Sequence, residues 1–122
     1  MHMKQQNKPD YYNDVMRIVR NYVEYGYYKK EPKKAATAIR RKYKEKTLED
    51  CLETFNRGCE VYQQAISFVD EHKDFYEDLF RKKEPVRTYS AEEIAFFNTY
   101  SDFPKDLLGG VILFIYNWHH QR

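Results

Sequence analysis

Glycine, proline and serine are all scarce in this chain, with four Gly, four Pro and three Ser (Ser67, Ser90, Ser101) among 122 residues. A β fold with many hairpins needs those residues at its turns, so their shortage favours long helices joined by short corners. Cysteine is equally sparse. Cys51 and Cys59 fall on one predicted helix, about 12 Å apart along its axis at 1.5 Å per residue, which is too far for a disulfide. They read as small apolar residues in a reducing compartment. Long apolar runs are missing too. The start, MHMKQQNKPD, shows no signal-peptide pattern, and the apolar segment Leu107 to Trp118 is twelve residues long with two glycines, short of the roughly 20 that a membrane helix needs. The expectation is a soluble, cytoplasmic protein.

Familiar carriers of chemistry are also absent. No G-x-S-x-G, G-x-G-x-x-G or G-x-x-x-x-G-K-[ST] occurs, so nucleophilic and nucleotide chemistry have no visible motif. The residues three before His72, His119 and His120 are Val69, Tyr116 and Asn117, not the carboxylates a di-iron bundle projects inward. Zinc ligation would have to recruit Cys51 or Cys59 to His119 or His120 from the far end of the sequence; a cationic C-terminal helix end is the simpler reading of those histidines. Carboxylate pairs such as Glu49-Asp50 and Glu92-Glu93 occupy adjacent helix positions that diverge by about 100°. The reading is therefore no catalytic residue, no cofactor and no metal. An enzyme would need a pocket assembled from residues distant in sequence.

What is present is aromatic and charged. Hydrophobic residues make up 42% and aromatics 17%, with twelve Tyr and eight Phe, enough to exclude a disordered chain and to place many tyrosines at the core boundary. The length suits one helical domain over residues 9–122 behind a disordered tail, 1–8. An all-α, single-domain bundle of about five to six helices follows.

The first helix should run from Pro9 to Gly26, with Tyr12, Val15, Val19, Tyr22 and Val23 as its buried stripe. Pro32 opens a second helix to about Lys46 on a thin stripe of Ala35, Ala36, Ile39 and Tyr43. Thr47 caps a long third helix whose stripe is Leu48, Cys51, Leu52, Phe55, Cys59, Tyr62, Ile66 and Val69, with Gly58 allowing a close neighbour. Asp70 and Lys73 would interrupt that stripe, so the helix should end or kink near 70–74. A further helical piece spans 74–83 before Glu84-Pro85. Ser90-Ala91-Glu92-Glu93 reads as a capping box ahead of Ile94, Phe97 and Tyr100. Residues 104–118 are apolar all round and read as the central helix; the rival is a strand over 111–118 pairing with Val86 to Tyr89.

Charge is segregated along the sequence. Residues 1–46 hold thirteen Lys and Arg against five Asp and Glu, a balance of +8, and the remainder carries −6. On a helical wheel Lys33, Lys34, Arg40, Arg41 and Lys44 gather with Thr37 within about 120°. The acidic counterpart is Asp70, Glu71, Asp74, Glu77 and Asp78. Tyr25, Tyr27 and Tyr28 stand beside Lys29 and Lys30, where they either cover a helix corner or form a stacking platform for single-stranded nucleic acid.

A helix-turn-helix reader is disfavoured, because the third helix opens Leu48-Glu49-Asp50 and phosphates would repel it. The leading expectation is a non-enzymatic protein that binds an acidic or basic protein partner through its charged faces, in the manner of regulatory, immunity or antitoxin proteins. Sequence-independent nucleic-acid binding by the basic helix 33–46 comes second. No membrane association is expected. A ridge of Val61, Phe68 and Phe75 offers a homodimer contact.

Overall fold

The computed structural model describes residues 9–82 and 88–121. The protein is all-α. Its helices are α1 (Pro9–Tyr25), α2 (Pro32–Lys42), α3 (Leu48–Glu71), α4 (Lys73–Lys82), α5 (Ala91–Thr99) and α6 (Lys105–His120), with a 3-10 turn at Tyr27–Lys30 and no strand among the described residues. The tail expected over residues 1–8 lies outside the described residues, as do Glu84, Pro85 and Val86. No described helix is long and apolar enough to cross a membrane. The chain forms two compact units, Met1–Tyr62 and Gln63–Arg122, whose boundary falls within α3.

In the first unit α1 packs between two neighbours, so it buries a broader arc than a single stripe. Tyr11, Val15, Met16, Ile18 and Val19 are buried, whereas the expected Tyr12, Tyr22 and Val23 are only half-buried. Ala35, Ala36 and Ile39 of α2 are fully buried, as the thin stripe requires. On α3 the stripe is turned toward Cys51, Phe55, Val61 and Tyr62. Gly58 lets α1 approach: a Cβ there would stand 2.9 Å from Val19 Cγ2.

Three hydroxyls tie the edges of this core. Tyr11 donates to Thr54 at 3.1 Å, Tyr62 to Glu24 at 2.7 Å and Tyr43 to Asp14 at 2.5 Å. Burial pushes the Tyr11 phenol up to about 12, so it stays protonated and able to donate well above neutrality. Thr47 Oγ1 accepts from the Asp50 amide at 3.0 Å and fixes the start of α3. Two expectations fail here. Leu48, at the first turn and beyond the core, is 40% exposed. Val61 is fully buried, so it cannot join Phe68 and Phe75 in a dimer ridge.

In the second unit α3 ends at Glu71, and His72 turns the chain into α4, where the charged positions 70 and 73 break the apolar stripe. The capping box of α5 is complete: the Glu93 amide donates to Ser90 Oγ at 3.1 Å and the Ser90 amide to Glu93 Oε1 at 2.9 Å. Glu93 is itself fully buried and accepts the Tyr76 hydroxyl at 2.6 Å. Holding that carboxylate inward rotates α5 so that Phe96 and Phe97 face the core and Ile94 is 47% exposed, against the expected Ile94, Phe97 and Tyr100 face.

Residues 105–120 are helical, not a strand. Leu108, Gly109, Ile112, Ile115 and Tyr116 are buried, with Tyr116 stacked on Phe80 at 5.3 Å. The other flank, Leu107, Val111, Phe114 and Trp118, is half-buried, so α6 is covered on one face and not all round.

Candidate functional site

The basic face begins with a departure from helical economy. α2 opens at Pro32 with Lys33 and Lys34 in its first turn and no acidic residue there, although that end of a helix repels cations by about 0.3–1 kcal/mol each at low salt. Glu31 answers Lys34 at 3.2 Å; Lys33 has no ion-pair partner among the described residues. At the other end Arg40, Arg41 and Lys42 occupy the last turn, where the dipole favours them.

The helix stops at Lys42, four residues short of expectation, for a visible reason. Asp14 of α1 collects Tyr43 Oη at 2.5 Å, Lys42 Nζ at 2.9 Å and Arg17 at 3.2 Å. Those contacts draw Tyr43 out of helical geometry, to φ −121° and ψ 70°. Burial alone would raise the Asp14 carboxyl, but hydrogen bonds from Tyr43, Lys42 and Arg17 outweigh it and hold it at about 2. Arg40 Nε then donates to the Lys46 carbonyl at 3.0 Å and folds the connection back beside α2.

All five predicted cations, Lys33, Lys34, Arg40, Arg41 and Lys44, are exposed. Although Lys44 lies outside the helix, it joins Arg40, Arg41, Thr37 and Leu48 around a shallow cavity of about 340 Å³. Arg41 and Lys44 have no ion pair among the described residues.

Ahead of α2 the backbone is strained. Gly26 takes φ 73° as a left-handed cap, and Tyr28, Lys29 and Lys30 follow at φ 68°, 51° and 63°. Three successive side-chain-bearing residues in that region cost about 1–2 kcal/mol apiece. The turn presents Tyr25 and Tyr27, 45% and 55% exposed, with ring centroids 6.2 Å apart. Tyr28 is half-buried. The cluster does not seal the corner, because its two outer rings remain in solvent.

The acidic residues behave differently. Asp70 takes His120 Nε2 at 3.0 Å, Glu77 takes Arg81 at 3.5 Å, and Asp78 takes Lys82 at 3.2 Å. His120 is thus engaged at the end of α6 and also stacks on Tyr116 at 5.6 Å, not simply solvated. Of the predicted acidic set only Glu71 and Asp74 are left without a partner among the described residues. Glu71 lines a second cavity, about 390 Å³, together with Ser67 and His72 of the α3 end and Glu92 and Thr99 of α5. Sequence spacing gave no sign of Glu92 there, since the cavity depends on how α3 and α5 pack.

Ser67 and His72 share the wall of this second cavity without a mutual hydrogen bond, and His72 Nδ1 instead lies 2.8 Å from the Phe68 carbonyl, so no nucleophile is paired with a base. Among the described residues no three His, Cys, Asp or Glu side chains converge as a metal ion requires. Burial pushes the Cys59 thiol up to about 11 and raises that of Cys51, which keeps both protonated and unreactive. No family model, curated protein or solved structure matches the chain.

Proposed function

We propose that this chain is a non-enzymatic binding protein whose basic face, Lys33, Lys34, Arg40, Arg41 and Lys44, docks an acidic partner protein. One observation carries the reading: Arg40, Arg41 and Lys44 surround a concavity into which the exposed Leu48 contributes apolar surface. Cations around an apolar centre match the anatomy of a protein interface, where arginine is enriched and a small apolar core supplies the contact energy. Phosphates would use the cations but gain nothing from Leu48. The misplacement of Lys33 and Lys34 against the helix dipole supports a role outside folding.

The second reading, sequence-independent nucleic-acid binding, is favoured by the exposure of Tyr25 and Tyr27 next to Lys29 and Lys30, which resembles an aromatic platform along a basic strip. A cytoplasmic setting is supported by the two free cysteines.

Affinity capture separates these readings. Wild-type protein and an Arg40→Glu/Arg41→Glu/Lys44→Glu variant are each used as bait, with and without nuclease digestion. Partner proteins retained by wild type, released by salt and lost with the variant are expected. Equal retention by the variant would sink the protein-docking reading, and retention abolished by nuclease would replace it with the second.

A further inference from the structure

We infer that the cavity between the end of α3 and α5 is a binding site for a cationic side chain, arginine in preference to lysine, carried by a partner peptide. This goes beyond the basic face of α2, since it uses other elements and charge of the other sign. The walls are aromatic and continuous. Phe68 stacks on His72 at 4.2 Å and meets Phe96 at 5.1 Å, and Phe96 meets Tyr100 at 4.8 Å. Rings of this kind attract a cation placed within about 6 Å of a centroid, and a planar guanidinium stacks on them better than an ammonium.

Two carboxylates complete the site, one from each helix. Glu71 and Glu92 both line the cavity, both are exposed, and neither has an ion pair or hydrogen bond among the described residues. The contrast with neighbouring positions is informative, because Glu77 and Asp78 each hold a cation of the chain itself and Asp70 is engaged by His120. Glu71 is, moreover, the last residue of α3, a helix with no basic residue in its final turn. A carboxylate there opposes the helix dipole. Folding therefore gains nothing from Glu71, whereas an incoming cation would be held between it and Glu92 over an aromatic floor.

His72 Nδ1 lies 2.8 Å from the Phe68 carbonyl, which holds the ring in the wall. The volume, about 390 Å³, is at the small end of ligand cavities, roughly 300–1,000 Å³. The cavity is open to solvent and not enclosed, as a side chain projecting from a peptide backbone requires.

The test is an amide-shift titration of the whole protein with acetyl-Ala-Ala-Arg-Ala-Ala-amide. Matching arms use the Lys and the uncharged Gln peptides, and spermidine stands for a small polyamine. The Arg peptide should produce saturable shifts at Ser67, His72, Ala95 and Thr99, the Lys peptide weaker ones and the Gln peptide none. Glu71→Gln/Glu92→Gln, two exposed and isosteric changes, should weaken the Arg peptide by about tenfold or more with the rest of the spectrum unchanged. Tyr100→Leu should narrow the Arg-over-Lys preference. Arg40→Glu/Arg41→Glu/Lys44→Glu should leave this titration unaltered, which keeps it distinct from the fate of the α2 reading. Absence of shifts at millimolar peptide would overturn the inference. So would shifts that survive the double variant, and so would a response to spermidine with none to the Arg peptide.

Discussion

Gly58 and Gly110 are both helical glycines, and the structure predicts opposite outcomes for the same substitution. Replacing an interior glycine by alanine stabilises a helix by about 1 kcal/mol when nothing else changes. At Gly110 an added Cβ meets nothing within 4 Å, so Gly110→Ala should realise that gain in full. At Gly58 the same carbon would stand 2.9 Å from Val19 Cγ2 and 3.6 Å from Val15 Cγ1, against an ordinary carbon contact of about 3.5–4.0 Å. Val19 is fully buried, and a β-branched side chain on a helix has one strongly favoured rotamer, so it cannot swing aside. Overpacking of this kind costs about 1–3 kcal/mol, leaving Gly58→Ala between neutral and about 2 kcal/mol destabilised. The difference between the two variants isolates the clash. Urea unfolding, with amide exchange to read α1 and α3 directly, measures it. The offending methyl can also be removed: in a Val19→Ala background, Gly58→Ala should become stabilising by about 1 kcal/mol. If Gly58→Ala stabilised the parent protein as much as Gly110→Ala does, the close approach of α1 and α3 at this position would be refuted.

Three other outcomes follow from named contacts. The Asp14 carboxyl, held at about 2 against an ordinary 3.8, contributes stability that is fully present above about pH 4 and is lost as pH falls toward 2. Because its partners Lys42 and Arg17 are well exposed, Asp14→Asn should cost only about 1 kcal/mol at neutral pH and flatten acid unfolding of the first unit between those pH values. At Lys29, φ 51° sets the stability order Gly above Lys above Val, with Lys29→Val losing about 1–2 kcal/mol in thermal melts. Ile112→Asp places an unpaired carboxylate at a fully buried position of α6 and should abolish cooperative unfolding of the second unit, since the penalty of several kcal/mol rivals a typical total of roughly 5–15; an unchanged melting temperature would show that α6 is not a core helix.

Features that depend on neighbours in sequence were legible before the structure. Ser90 and Glu93 form the capping box their spacing implies, Gly26 takes the left-handed cap, and Ala35, Ala36 and Ile39 hold α2 down. The exposure of all five basic residues was legible because charge itself keeps them in water. Facing was less legible. Wheel positions one residue apart differ by about 100°, and which of Tyr11 or Tyr12, Phe96 or Ile94 turns inward is decided by contacts that spacing does not encode. The Glu93 carboxylate, drawn inward by Tyr76 from 17 positions away, is the clearest case. Asp14 escaped notice for the same reason, since its partners Lys42 and Tyr43 reach it from the end of α2 and the residue after it.

Ion pairing is uneven over the surface of this chain. Some of its charges are met by a partner three or four positions along the same helix: Arg57 by Glu60, Arg81 by Glu77, Lys82 by Asp78. Such pairs contribute only about 0.3–0.5 kcal/mol each, so where an unpaired charge stands on its helix says more than the lack of a pair. Lys33 at the wrong end of α2 and Glu71 at the wrong end of α3 both oppose the helix dipole, and neither has an ion pair among the described residues. Arg41 and Lys44 likewise lack one beside the concavity with Leu48, as Glu92 does beside the aromatic cavity. Arg41 suits the last turn of α2 and Glu92 the first turn of α5, so of the five only Lys33 and Glu71 run against the dipole of the helix that carries them. Among the charges that line the two concavities Glu71 is the one that opposes its own helix dipole, which favours the proposed recognition of a cationic partner there.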